Sequence, residues 1–278
     1  MRLVACVVAM LVSGYVAAVE IENGLSYHKV GDVQLQGDLY RVASDCARPG
    51  VVLIHGGGWT KGNRGQMKSI GKQLARQGFV AFSISYRLAP EHPFPAAVHD
   101  VKNAVRWMRA NADEYGVSRE QIVTFGYSAG AHLALMAALT GPEDGLEGDV
   151  SHPGVSSRVQ AAVGGGSPTD LTLFSENRST NAFLGGSKAD LPELYRQASP
   201  LQYVSAEDPP VFLYHGRQDA VVGFEHAEVL TDGLQRVGVP VQLFSGRFGH
   251  FYRFLFGDRD VAAAGDFLKQ HLEPGCGA

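Results

Sequence analysis

Two kinds of apolar segment alternate along most of the chain. Short runs rich in valine, isoleucine or phenylalanine end in glycine, histidine or serine, which is typical of strands buried on both faces of a sheet. They predict strands at residues 51–54, 80–84, 122–125, 159–163, 211–214 and 241–244. Longer segments with helical periodicity lie between them, at residues 66–77, 96–115, 129–139, 224–237 and 258–271. The alternation predicts an α/β fold, with a mostly parallel central sheet and helices on both of its faces.

Two segments depart from this alternation. Residues 26–30 and 33–40 alternate apolar and polar positions around a Gly-Asp turn, which predicts an antiparallel hairpin at the edge of the sheet. Residues 171–210 are polar, contain four prolines and are long for a connection. We expect them to form a short lid-like helical excursion over the top of the sheet that lines the substrate pocket. A plain surface loop is the alternative.

The N-terminus has the composition of an export signal. Arg2 precedes an apolar run at residues 3–12, and small residues follow as far as Ala18. We therefore expect residues 1–18 to be a signal peptide and residues 19–278 to form a single exported domain, in periplasm or medium, with no membrane contact after cleavage. A membrane anchor is the alternative, but the apolar run is shorter than the roughly 20 residues needed to span a bilayer.

Charge and cysteine content bear on the partners of the chain and on its disulfides. The chain carries 24 Lys and Arg against 28 Asp and Glu, a net charge of -4, without a basic cluster. We therefore expect no nucleic-acid partner and a substrate recognised mainly by shape. Signal cleavage would remove Cys6 and leave Cys46 and Cys276. A disulfide between these two and a pair of unrelated thiols are both compatible with the sequence. The composition leaves the oligomeric state open.

The sharpest chemical signal is the segment Gly-Tyr-Ser-Ala-Gly at residues 126–130. It follows a predicted strand and opens a predicted helix, which is the context that a G-x-S-x-G nucleophile turn requires. Such a turn exposes the hydroxyl of Ser128 at the top of the sheet. The start of the helix also favours negative charge that develops on a substrate oxygen. Ser128 is therefore the candidate nucleophile.

A second signal is the segment His-Gly-Gly-Gly-Trp at residues 55–59, directly after a predicted strand. Consecutive glycines uncover backbone N–H groups and let the main chain approach a ligand. We assign the N–H groups of Gly57, Gly58 and Ala129 to an oxyanion hole, and expect His55 to be structural. A flexible glycine turn is one alternative. A phosphate cradle is another, but no Lys-Ser/Thr pair follows the glycines.

A serine nucleophile needs a base within reach. His250 follows the last predicted strand and is the candidate, whereas His226 and His271 lie in predicted helices and are expected at the surface. The loop after the strand at residues 211–214 supplies Asp219 as the acid, with Asp170 as its rival. No Cys/His cluster has the spacing of a metal site, so we expect no metal and no cofactor.

These motifs together resemble the α/β-hydrolase superfamily over residues 51–271. Stretches at 55–59, 86–91 and 94–97, the last leading to Asp100, are similar to esterases and lipases related to hormone-sensitive lipase. That group usually has Asp before the nucleophile, Gly after Ser-Ala-Gly, and Pro-Leu after the acid. This chain has Tyr127, Ala131 and Ala220-Val221 instead.

The segment at residues 127–133 is closer to the compact bacterial acetyl/feruloyl esterase-like branch, and to kynurenine formamidase-like enzymes. Residues 19–50 leave no room for the N-terminal helical cap of the lipase-like group, which implies a more open pocket. We also expect Trp59, Tyr127 and Asp170 to contact substrate.

The resemblance implies a secreted serine carboxylic ester hydrolase that acts through an acyl-enzyme. We expect short-chain acyl esters as substrates, with acetyl or feruloyl groups on polysaccharide as the candidates. An amide hydrolase, of formamidase or peptidase type, is the first alternative, because the same three side chains perform that chemistry. A non-catalytic binding member of the fold is the second, but such proteins normally lose the serine, the histidine or the glycines.

Overall fold

A computed structural model describes residues 18–251 and 258–273 of the chain. Its centre is an eight-stranded sheet in the order β1-β2-β4-β3-β5-β6-β7-β8. The strands β3 to β8 run parallel to one another, and β2 pairs antiparallel with both β1 and β4. The strands are β1 (Val19–Val30), β2 (Val33–Val42), β3 (Arg48–Ile54), β4 (Val80–Ile84), β5 (Val117–Tyr127), β6 (Ala162–Gly165), β7 (Val211–Gly216) and β8 (Val241–Gly246).

Helices cover both faces of the sheet. In the described residues they are α1 (Lys68–Arg76), α2 (Ala96–Ala110), α3 (Ala112–Tyr115), α4 (Ala129–Leu139), α5 (Arg178–Leu184), α6 (Pro192–Gln197), α7 (Glu225–Arg236) and α8 (Asp258–His271). Apolar side chains of α2, α4 and α7 share one core cluster with the sheet, and those of α1 and α8 share the other. The predicted α/β-hydrolase fold and its edge hairpin are therefore confirmed.

Several details of the predicted elements are wrong. The strand expected at residues 159–163 begins only at Ala162, where pairing with β5 and β7 starts. The helix expected at residues 96–115 breaks at Asn111, whose side-chain amide donates to the carbonyl of Trp107. The strand β8 is not buried on both faces, because it is the last strand and its residues alternate between half-buried and exposed.

The segment at residues 171–210 is the helical excursion that the sequence predicted. It contains 3₁₀ turns at Leu171–Leu173 and Pro200–Tyr203, with α5 and α6 between them. Phe183, Tyr195 and Ala198 bury their side chains in the core cluster that α4 contributes to. The excursion is therefore packed into the core beside α4 and is not a plain surface loop.

The N-terminal and cysteine predictions fall partly outside the described residues. The predicted signal peptide covers residues 1–18, of which only Ala18 is described, so it stays a prediction. In the part of the chain that is described, no helix is both long and apolar enough to cross a bilayer. Cys46 is disulfide-bonded. Cys276, which the sequence suggested as its partner, lies outside the described residues.

Candidate active site

Ser128 stands on a strained turn between β5 and α4. Its backbone has φ 55° and ψ -124°, a conformation that a non-glycine residue rarely adopts. The turn is possible because its flanks lack side chains. A Cβ added to Gly126 would lie 2.1 Å from the carbonyl oxygen of Gly130, and one added to Gly130 would lie 2.2 Å from that of Ile54. The two glycines thus allow strand, helix and β3 to meet around the serine.

A chain of hydrogen bonds connects Ser128 to a histidine and a carboxylate. Nε2 of His250 lies 3.0 Å from Oγ of Ser128, and Nδ1 of His250 lies 2.6 Å from Oδ2 of Asp219. The side chains of His250 and Asp219 are 5% and 1% exposed, so water screens their interaction only weakly. The structure therefore brings together the three residues that the sequence selected. Their catalytic roles stay predictions.

The surroundings of Asp219 favour its ionised form. Oδ1 accepts hydrogen bonds of 2.9 Å from the backbone N–H groups of Val221 and Val222. Burial alone would raise the pKa of Asp219, but the hydrogen bond and charge of His250, together with these two N–H groups, lower the pKa below its ordinary value. An ionised carboxylate on Nδ1 keeps the proton there, which leaves Nε2 free to accept the hydroxyl proton of Ser128.

The loops that carry the acid and the base are joined along their backbones. The N–H of Arg217 donates to the carbonyl of Gly246 at 2.8 Å, and that of Gln218 donates to the carbonyl of Phe248 at 3.3 Å. A Cβ added to Gly216 would lie 1.9 Å from the same carbonyl of Phe248. This close approach fixes Asp219 relative to His250, although the two residues come from different strands.

The glycine loop after β3 packs directly against the nucleophile. A Cβ added to Gly56 would lie 3.3 Å from Cβ of Ser128. Gly57 and Gly58 have φ values of 124° and 58°, which glycine adopts without strain. In the described part of the chain, no hydrogen bond from either N–H to another protein group occurs. Together with the N–H of Ala129 at the start of α4, these groups can bind a developing oxyanion.

Two of the residues expected to contact substrate are buried and engaged elsewhere. Trp59 is 4% exposed, stacks on Phe183 at 4.6 Å between ring centroids, and donates its indole N–H to Nδ1 of His132. Tyr127 is also 4% exposed, and its hydroxyl donates to the backbone carbonyl of His250. Trp59 lies in the loop after β3 and Tyr127 at the end of β5, and both side chains are directed into the protein. A substrate contact of either side chain stays a prediction.

Asp170 caps a local turn. Its Oδ1 accepts hydrogen bonds from the backbone N–H of Thr172 at 2.9 Å and from the hydroxyl of Thr172 at 2.7 Å. Because Asp219 already occupies Nδ1 of His250, the structure leaves no place for Asp170 as the acid. A substrate contact of Asp170 stays a prediction.

His226 is the clearest error among the histidines. It was expected at the surface of its helix, yet it is 1% exposed. It is the second residue of α7, and its Nδ1 accepts the backbone N–H of Thr169 at 3.2 Å, in the loop after β6. Burial lowers the pKa of His226 to about 4. His271 is exposed, as expected.

Two buried histidines near the site, His132 and His215, have no role that the sequence predicted. His132 accepts from Trp59 at 3.2 Å and donates from Nε2 to the carbonyl of Ala198 in the excursion at 2.7 Å. Nε2 of His215 donates to the carbonyl of Val222 at 2.9 Å and lies 3.5 Å from Oδ2 of Asp219. A single histidine within the otherwise apolar helix α4 was a usable signal for the first of them.

His55 is structural, as expected. It is fully buried and stacks on Tyr86 with ring centroids 4.3 Å apart, and its Nδ1 donates to the carbonyl of Gly56 at 2.8 Å. Burial lowers the pKa of His55 to about 4, so the ring is neutral near pH 7. Among the described residues, no three His, Cys, Asp or Glu side chains are placed to hold a metal ion.

The sequence profile of the BD-FAE family matches residues 38–234, which is more than half of the chain. The chain belongs to the BD-FAE family. The profile includes the glycine loop, Ser128 and Asp219, while His250 lies beyond its end.

Relatives of this BD-FAE family member include esterases. Esterase LipC of Mycobacterium tuberculosis is 35% identical over 214 residues, which are 72% of this chain and 52% of that protein. The chain spans about half the length of the curated relatives it matches. A truncated carbohydrate esterase from gut microbiota has a TM-score of 0.83 at 25% identity, with 91% of this chain and 96% of that chain covered.

A second solved relative is Thermogutta terrifontis esterase 2. Its form phosphorylated by paraoxon has a TM-score of 0.77 at 26% identity, with 92% of this chain and 96% of that chain covered. Its butyrate-bound form has a TM-score of 0.76 at 25% identity, with 94% and 96% covered. Together with the family match, these structures place the BD-FAE chain among α/β-hydrolases of the esterase and lipase type.

Proposed function

We propose that this BD-FAE family member is a serine carboxylic ester hydrolase that works through an acyl-enzyme. The observation that carries the proposal is the continuous contact from Asp219 through His250 to Ser128, with the glycine loop packed on the serine. The esterase relatives support it, and paraoxon phosphorylation of the Thermogutta enzyme supports an activated nucleophile in this fold.

The reaction follows from this geometry. Oγ of Ser128 attacks the ester carbonyl while Nε2 of His250 takes its proton, and Asp219 stabilises the imidazolium that forms. The N–H groups of Gly57, Gly58 and Ala129 bind the oxyanion of the tetrahedral intermediate. His250 then donates the proton to the leaving alcohol. A water molecule, deprotonated by the same nitrogen, attacks the acyl-enzyme and releases the acid.

We propose short acyl groups, acetyl above all, on a carbohydrate alcohol as the substrate class. Trp59, His132 and Phe183 fill the volume beneath the glycine loop with buried rings, which disfavours a long apolar channel there. Burial of a longer acyl chain contributes about 0.8 kcal/mol per methylene only where such a channel exists. Exposed polar residues of the excursion, Ser175 and Glu176 among them, suit hydroxyl-rich groups, and the carbohydrate esterase neighbour supports this choice.

We further propose that the protein is exported. The signal-like sequence at residues 1–18 supports export, and so does the disulfide of Cys46, because disulfides persist in oxidising compartments. Expression of the full chain in a bacterial host, followed by fractionation and determination of the mature N-terminus, tests this. An uncleaved chain that stays in the cytoplasm would contradict export alone.

A substrate panel tests the function. Specificity constants for p-nitrophenyl acetate, butyrate, octanoate and palmitate are compared with those for the matching anilides, and acetate release from acetylated xylan is measured beside them. We expect a maximum at acetate or butyrate, little anilide cleavage, and no activity in Ser128→Ala. Preference for anilides would replace the ester assignment by an amide one, and a maximum at octanoate or beyond would contradict the short-acyl assignment.

A further inference from the structure

Tyr127 contacts the base of the site although it is the neighbour of the nucleophile in sequence. Its hydroxyl donates a hydrogen bond to the backbone carbonyl of His250, and the centroids of the two rings are 5.2 Å apart. The hydrogen bond therefore ties the end of β5, which delivers Ser128, to the backbone of the residue that must receive its proton.

The ring of Tyr127 packs near other buried aromatic rings. Its centroid lies 6.0 Å from that of Tyr214, which in turn lies 6.1 Å from that of Phe125. All three side chains belong to the core cluster that packs against α1 and α8. The ring of Tyr127 therefore packs in a row of buried aromatic rings. A close-packed core of this kind resists displacement of the Tyr127 side chain.

Gly166 lies against the imidazole of His250. It is buried and has φ +53°, and a Cβ added to it would lie 3.0 Å from Cε1 of His250 and 3.3 Å from the hydroxyl of Tyr127. The backbone here is anchored as well, because the N–H of Gly166 donates to the carbonyl of Tyr214 at 2.9 Å. The preceding carbonyl, that of Gly165, accepts the N–H of Ser128 at 2.7 Å.

We propose that Tyr127 is a positioning residue for His250, the base. Gly166 completes the site that holds the imidazole of His250. The inference rests on the proposed function and deepens it. Nε2 of His250 lies 3.0 Å from Oγ of Ser128, while Asp219 holds Nδ1 of His250 and the Tyr127 hydroxyl holds its backbone carbonyl. The second position of the G-x-S-x-G turn therefore sets the register between nucleophile and base.

Tyr127→Phe is the first test, because it keeps the ring and removes only the hydroxyl. Its matched control is Tyr27→Phe, which removes a buried hydroxyl that donates to the carbonyl of Ser85 at 2.7 Å, on the opposite core cluster. We expect kcat for p-nitrophenyl acetate to fall about 10- to 100-fold in Tyr127→Phe with KM unchanged, as for a misplaced catalytic group. Tyr27→Phe should lower Tm without lowering kcat.

The low-field proton NMR signal of the His250 Nδ1–H gives a readout that does not need turnover. We expect it to shift or broaden in Tyr127→Phe and to stay unchanged in Tyr27→Phe. Gly166→Ala should disturb the same signal, because its methyl group would press on the imidazole. Gly145→Ala is its control, since Gly145 also has a positive φ but open space around it.

Two outcomes would overturn the positioning role: an unchanged kcat and unchanged Nδ1–H signal in Tyr127→Phe, or equal losses of kcat in the two tyrosine variants. Failure of the proposed function looks different, because the wild-type chain would then hydrolyse no ester. The Nδ1–H signal would still decide whether Tyr127 fixes the ring of His250.

Discussion

Trp59 donates its indole N–H to Nδ1 of His132 across a distance of 3.2 Å. Trp59 follows the glycine loop directly and has φ 58°, and His132 lies one turn after Ser128 in α4. The hydrogen bond therefore joins the loop that would bind the oxyanion to the helix that carries the nucleophile. It also requires a neutral His132, and burial supplies this by lowering the pKa of His132 to about 4.

Replacement of Trp59 by Phe should weaken both the fold and the reaction. The variant leaves Nδ1 of His132 buried without a donor, which costs about 1–3 kcal/mol of unfolding free energy. We expect kcat to fall by about tenfold or more, since displacement of catalytic groups by about 1 Å costs up to 10²-fold. Denaturant titration and steady-state kinetics measure the two effects. Trp107→Phe, which replaces a buried indole of α2 that stacks on Phe82, should affect stability alone.

Asp219→Asn should remove most of the activity and little of the stability. The amide oxygen can still accept the N–H groups of Val221 and Val222, but the amide N–H₂ then faces His250 and forces its proton onto Nε2. We expect kcat to fall by roughly 10⁴-fold, the effect of the wrong tautomer. Asp170→Asn serves as the comparison, because the hydrogen bonds of Asp170 go to Thr172 and Ser199 and not to His250. A larger kcat loss in Asp170→Asn would show that the acid is misassigned.

Gly57→Ala tests the glycine loop. Gly57 has φ 124°, and an added Cβ would lie 2.0 Å from the carbonyl oxygen of Lys61, so the loop must move. Loss of one oxyanion donor lowers kcat by about 10²–10³-fold, and we expect a fall of this size. Gly154→Ala also puts an alanine at a positive φ, of 82°, at a strain of about 1–2 kcal/mol, but the added Cβ meets open space. Kinetics on both variants should show the loss in Gly57→Ala alone.

Stability should decline in mild acid. Burial lowers the pKa values of His55, His132 and His226 to about 4 in the folded chain, against about 6.5 when unfolded. Between these values the unfolded chain binds more protons than the folded chain. The free energy of unfolding is therefore retained above pH 6.5 and falls as the pH drops towards 4.

Calorimetry at pH 5 in buffers of different ionisation enthalpy should show proton uptake on unfolding, to which each of these three histidines contributes close to one proton. His226→Asn keeps an acceptor for the N–H of Thr169 and removes one titrating group. It should lower the uptake by about one proton. A Tm that is constant from pH 7 to pH 4.5 would contradict the burial of neutral histidines.

Local sequence signals were enough for the sheet and for the candidate triad. The strand before Ser128 and the glycines on both sides of it are short-range features, and the turn they predict is the one observed. His250 and Asp219 were located by the order of the predicted strands, because loops at the carboxyl ends of parallel strands meet at one edge.

Local sequence signals could not predict whether a given side chain points towards solvent or into the core. Trp59 and Tyr127 flank the site in sequence, but whether they face solvent or the core depends on partners more than 60 positions away, His132 and His250. His226 was misplaced for the same reason, since its acceptor role depends on the loop after β6. The exposure of β8 depends on its place at the edge of the sheet, which only the strand order reveals.

Covalent labelling tests the central claim most directly. The purified protein is treated with paraoxon, release of p-nitrophenol is followed, and the modified residue is identified by peptide mass spectrometry. We predict one diethylphosphoryl group per chain, on Ser128, and a labelling rate lower by several orders of magnitude in His250→Ala. Modification of another residue, or continued ester hydrolysis by Ser128→Ala at the wild-type rate, would contradict the account.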